Sequence, residues 1–190
     1  MNKILPALVA FALMTAPLAV TAEQFGDFTY SSDGTNATIT RYIGFDEAVT
    51  VPTNITGLPV TQMGDGAFYG EWWLTEVIIP SGVISIGNSV FSDCQGLSHV
   101  VLPDSLISIG PSAFVDCFSL AGIVLPPGLL TIGPGALSHC ISLSNITLPN
   151  SLTSIGSGAF ENCGSLTGIT IPGSVANIAV RRWDGTGSVN

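Results

Sequence analysis

The sequence predicts a repeat solenoid of mixed α/β class, with a parallel β-sheet along one face, 23-residue repeats and an N-terminal β-hairpin cap. Three observations predict it. Cys94, Cys117, Cys140 and Cys163 recur at a constant interval of 23 residues. Pro80, Pro103, Pro126, Pro149 and Pro172 keep the same interval, as do Leu74, Leu97, Leu120, Leu143 and Leu166. Ile-Gly pairs beginning at Ile86, Ile109, Ile132 and Ile155 complete the pattern. A fixed period between about 20 and 50 residues marks an array in which each unit packs only on its neighbours.

The elements follow in chain order. Residues 1–22 carry Lys3, an apolar run from Ile4 to Val20 and the small-x-small ending Val20-Thr21-Ala22, so they read as an export signal cleaved before Glu23. Pro6 and Pro17 interrupt the run, which is short for a membrane-spanning helix. Cleavage removes the only lysine and leaves Arg41, Arg181 and Arg182 against 13 acidic residues. Such a surface excludes nucleic acid and disfavours anionic membrane. With no second apolar stretch of bilayer length, the exported chain is expected to be secreted or held at the cell surface without inserting in a membrane.

Residues 23–51 read as the cap, because Phe28-Thr-Tyr30 and Ala37 to Ile43 flank the turn-rich Ser31–Asn36. Capping protects the first turn, whose edge would otherwise stand open. Residues 52–179 read as the solenoid. Leu97, Val100 and Leu102 bring the chain into a short strand with one inward face, and Pro103, lacking an N–H, ends it. Gly110 is expected to free the backbone for a turn. The spacing of Ala113, Phe114 and Cys117 predicts one or two turns of helix. The first unit is longer, with the extra residues in Asn54–Pro59. Residues 180–190 hold no repeat register and read as an irregular tail, and an uncapped last strand would offer an edge for self-association.

The phrase Ser151-Leu-Thr-Ser-Ile-Gly-Ser-Gly-Ala-Phe-Glu-Asn-Cys-Gly-Ser-Leu166, followed by Ile171-Pro172, resembles the BspA-like leucine-rich repeats, also called the Treponema pallidum type. The resemblance covers most of the chain after the signal. It implies a curved leucine-rich repeat solenoid, exported or at the cell surface, binding host or matrix proteins in adhesion or co-aggregation. It implies no catalytic motif. Two departures stand out: Glu71 replaces the first cysteine, and Ser174–Ala179 loses the Ile-Gly pair of the last turn.

The residues with chemical potential fall into columns, one position per turn. Equivalent residues of adjacent turns lie about 4.8 Å apart, but thiols stacked in parallel make poor disulfide geometry, so the cysteines read as buried free thiols. Four ligands in a line also do not converge on a metal. Gly70, Asp93, Asp116, His139 and Asn162 form the column before the cysteines. Two of its carboxylates could share calcium, but a solvated loop edge accounts for them more simply. His99 and His139 fall in different columns with no obvious acidic or serine partner, so neither reads as catalytic, and no motif requires a cofactor. Asn36, Asn54 and Asn145 begin N-x-Thr triplets, which matter only in a glycosylating host.

Ligand binding is expected on the outward strand positions. One column is Glu76, His99, Gly122, Asn145 and Gly168; beside it run Ile78, Val101, Val124, Thr147 and Thr170. Trp72 and Trp73 flank this strip, either as anchors or as a seal on the cap. The candidate residues are thus Trp72, Trp73, Glu76, Ile78, His99, Val101, Val124 and Asn145, with a protein as the expected partner. A structural spacer, or a piece of a larger surface protein, is the alternative of a different class, and a glycan-binding module built on Trp72 and Trp73 is a third.

Overall fold

A computed structural model describes residues 22–178, so the export signal up to residue 21 and the tail at 180–190 lie outside the described residues. The cap begins with β1 (Glu23–Phe25), β2 (Phe28–Ser32) and β3 (Ala37–Tyr42), paired antiparallel in that order. The expected hairpin is β2 and β3, whose turn is held by Asp33. Its carboxylate accepts from the Thr35 and Asn36 N–H groups and from the Thr35 hydroxyl. These bonds hold its pKa well below the usual carboxylate range.

From β3 the sheet continues in parallel through β6 (Leu58–Met63), β8 (Ser85–Ile86), β10 (Ser108–Ile109), β11 (Thr131–Ile132), β12 (Ser154–Ile155) and β13 (Asn177–Ile178). The longer first unit is accounted for by a small hairpin, in which β5 (Asn54–Ile55) pairs antiparallel with β6. Thr56 and Gly57 between them both have positive φ, 51° and 88°, as a two-residue hairpin turn requires. A second sheet is smaller: β4 (Ala48–Thr50), β7 (Glu76–Ile78) and β9 (His99–Val101), all parallel. This strand face thus begins inside the segment read as cap.

The expected α/β class needs correction, because no α-helix forms between Gly64 and Leu74 or at its equivalents. Backbone bonding gives the reason. Gly66, Phe68 and Gly70 donate their N–H groups to Asn88, Val90 and Ser92 of the next turn. Ala67, Tyr69 and Glu71 between them donate three residues back within the turn. A helix directs every N–H along its own axis; here alternate groups point down the solenoid instead. The segment is a ribbon of turns, and the molecule is a β-solenoid.

Positive φ marks two columns of this ribbon. One is Gly66, Ser89, Ser112, Gly135 and Gly158; the other is Gly70, Asp93, Asp116, His139 and Asn162. Asp, Asn and His tolerate the left-handed region better than most residues. Backbone conformation therefore selects the column that sequence reading had weighed for calcium.

The Ile-Gly glycine also serves a purpose other than the expected one. Gly110 is not in the positive-φ region, but a Cβ built there would lie 2.5 Å from the Gly87 carbonyl oxygen of the preceding turn. Its N–H donates to Ile86 O at 2.8 Å, and Gly87, Gly133 and Gly156 repeat the bond at the same distance. Close approach of successive turns, not turning, requires glycine here.

Between the two sheets lies one continuous core. Phe28, Tyr42, Phe68, Phe91 and Phe114 stack along the axis with successive centroids 5.4, 5.1, 5.2 and 5.2 Å apart. Phe28 and Tyr42 from the cap thus extend the phenylalanine column of the repeats. No helix of the described residues is long and apolar enough to cross a membrane.

Candidate functional site

The strand face presents most of the predicted binding residues in register. Glu76 lies beside His99, and Ile78 beside Val101, as direct partners of β7 and β9. Beyond β9 the pairing thins to a single bridge, Gly122 with Asn145. Glu76 and Ile78 are half-buried, whereas His99 and Asn145 are exposed. Val101 is 39% exposed and Val124 84%, so apolar surface increases along the strip. An open groove of about 330 Å³ adjoins it, lined by Ile123, Val124, Leu125, Pro127, Asn145, Thr147 and Pro149. The inward residues between these positions, Val77, Val100 and Ile123, are buried and fix which way the outward ones face.

Trp72 and Trp73 sit apart from that groove, at the junction of cap and first turn. Trp72 is 65% exposed and Trp73 half-buried. Their rings meet edge to face at 5.5 Å, and Phe45 stacks on Trp73 at 5.7 Å. Phe45, 82% exposed, was not singled out in the sequence because it precedes the repeat register.

The four cysteines are free and buried. Each thiol donates to a carbonyl 26 residues earlier: Cys94 to Phe68 O at 3.0 Å, and Cys117, Cys140 and Cys163 to Phe91, Phe114 and Leu137 O at 3.1 Å. Their role exceeds that of small hydrophobes. Burial pushes all four pKa values up, that of Cys94 to about 12 and that of Cys163 to about 11, so the thiols are poor nucleophiles.

At His139 the expectation of no acidic partner is corrected. Its Nδ1 lies 2.9 Å from Asp116 Oδ1 one turn earlier, a pairing that their shared column could have revealed. The nearby Asp93 carboxylate raises the pKa of the Tyr69 hydroxyl. The two carboxylates of this column therefore engage neighbouring side chains.

Glu71 occupies the register of the cysteines in the first turn. It is 7% exposed, and among the described residues its Oε2 has no hydrogen-bond partner, nor does the buried Nε1 of Trp73. Both residues line a shallow cavity of about 250 Å³, open to solvent, with Arg41, Tyr42, Ile43, Gly44 and Phe45. Desolvation raises the Glu71 pKa, and Arg41 opposes the rise.

The pattern of the BspA-type leucine-rich repeat region matches residues 61–187, in six copies. The chain belongs to the BspA-type leucine-rich repeat family. Among solved structures, this BspA-type chain is similar to a leucine-rich repeat protein of T. pallidum, with 37% identity and a TM-score of 0.76 over 83% of this chain and 81% of that one. It is also similar to a leucine-rich cell surface protein of Faecalibacterium prausnitzii, with 28% identity and a TM-score of 0.67 over 83% of this chain but only 50% of that one. A leucine-rich repeat protein of Bacteroides capillosus is 31% identical with a TM-score of 0.60, over 66% of this chain and 96% of that one. No curated protein matches the chain.

Proposed function

We propose that the protein is an exported binding protein, secreted or held at the cell surface, that docks a protein partner on its strand face and so serves adhesion. One observation carries this reading: exposed Val101 and Val124 lie along the strand positions, beside a groove walled by Ile123, Leu125 and Pro127. Exposed apolar residues in line on a rigid scaffold are the anchors from which protein interfaces are built. The F. prausnitzii relative is described as a cell surface protein, which supports display or release outside the cell. Binding, not catalysis, is the activity proposed, since the surface groups gathered here are apolar and the buried thiols are poorly reactive.

The test uses residues 23–190 as bait against purified matrix proteins and a surface-protein extract. Val101→Asp with Val124→Asp should abolish capture while Trp72→Ala retains it. Capture that survives the strand variant would sink the reading, and absence of any partner would favour a structural spacer.

A further inference from the structure

We propose that the cavity between the cap and the first turn is a second binding site, one that takes a single neutral sugar ring. Glu71 and Trp73, which line the cavity, carry the two buried side-chain polar atoms without hydrogen-bond partners among the described residues, Oε2 and Nε1, and a ligand reaches them once each side chain rotates toward the cavity. Buried polar groups are ordinarily bonded, so such a pair marks a place where something else binds. At the same register in later turns stands a cysteine whose thiol has a carbonyl acceptor. The first turn replaces that satisfied group with a carboxyl whose Oε2 has no partner among the described residues, a change that costs the scaffold stability.

The chemistry of the lining selects the ligand. The indole N–H only donates, and the Glu71 oxygen accepts. A hydroxyl both donates and accepts, so neighbouring hydroxyls on one ring satisfy both orphans. Arg41 opposes Glu71, but Asp27, Asp46 and Glu71 all act on the lining Tyr42, so an anionic ligand is disfavoured, while a cation would leave the indole donor unpaired. The volume of about 250 Å³ is below the usual range of about 300 to 1,000 Å³ for drug-sized ligands, and suits one ring. Phe45 and Trp73, stacked at 5.7 Å in the lining, leave an outer aromatic face whose negative charge attracts the C–H face of a sugar. Apolar peptide side chains would leave both orphans unpaired.

The site is separate from the strand groove, so its test is independent of protein docking. Residues 23–190 are mixed with D-glucose, D-galactose and N-acetylglucosamine, and saturation transfer to each sugar is followed by NMR during titration. At least one sugar is expected to bind with millimolar affinity. Trp73→Phe keeps an aromatic ring, though a smaller one, and removes the donor; Glu71→Cys installs the residue of the other turns. Each should weaken binding about tenfold, the worth of one hydrogen bond. The melting temperature should hold in the first and rise in the second, and Val101→Asp with Val124→Asp should bind as wild type. No transfer to any of the three sugars would overturn the proposal and leave the cavity to water. Unchanged affinity in both cavity variants would overturn it as well, by placing the sugar elsewhere.

Discussion

The two sheets run side by side along the same solenoid, yet one continues from the cap to β13 while the other fades after β9. The difference lies in what the sequence places at equivalent positions. In the continuous sheet β8, β10, β11 and β12 each offer Ser or Thr before isoleucine and, from Gly64 to Gly156, every turn has a glycine that lets backbones close to bonding distance. On the strand face, Glu76 and His99 give way to Gly122, Asn145 and Gly168, residues that pair poorly in strands. One sheet is the framework. The other is a surface free to vary, which is where binding residues are tolerated.

That comparison can be broken most forcefully at Gly110. Gly110→Ala drives a Cβ into the Gly87 carbonyl, so it should destabilise the protein by about 2 to 3 kcal/mol in urea unfolding. Melting with no more than a marginal loss would refute the close-approach argument.

A second effect concerns the turn ribbon that joins the sheets. The buried thiols have folded pKa values above the ordinary 9.0, so the unfolded chain releases its protons first as pH rises. Their stabilising contribution is complete below pH 9 and should decline up to about 12, where the Cys94 thiol titrates. Raised pKa values at Tyr30, Tyr42 and Tyr69 act in the same direction. A Cys94→Ala variant isolates the thiol share: its melting temperature should fall less steeply across this window than that of wild type.

Rebuilding the weaker sheet is a smaller change. A Cβ at Gly122 meets only ordinary contact at 3.8 Å and one at Gly168 meets nothing, so Gly122→Thr with Gly168→Thr should gain about 1 kcal/mol. Slower hydrogen exchange at residues 123 and 145 would show that strand pairing had extended; unchanged exchange would mean glycine is not what ends it. The smallest effect is expected at Val124→Asp. A residue 84% exposed contributes little to packing, so stability should stay within about 0.5 kcal/mol of wild type. A larger loss would make Val124 part of the framework.

Much of the fold was legible because stacking makes each column answer one question many times. The cysteine ladder, the inward strand residues and the β2–β3 hairpin are all periodic or turn-coded in the sequence. The ribbon was misread as helix because three-residue spacing is shared by helical turns and by successive β-turns, and only the direction of alternate N–H groups separates them. The same holds for the column of Asp93, Asp116 and His139, whose residue types answer to positive φ. At the candidate sites, Trp72, Trp73 and the outward valines could be named from the sequence. Phe45 and Arg41 could not, because they reach the cavity from the cap, outside any repeat.

Periodicity alone determined that this chain is an array, which side chains face inward and where one turn ends and the next begins. Tertiary structure alone decided that alternate backbone N–H groups bond across turns, that the Ile-Gly glycine marks contact and not bending, and that Glu71 and Trp73 stand unpartnered in one cavity. Local pattern carries information about a residue's own turn. Hydrogen-bond direction, backbone approach and the meeting of cap with solenoid depend on atoms from other turns, which only the stacked chain brings together.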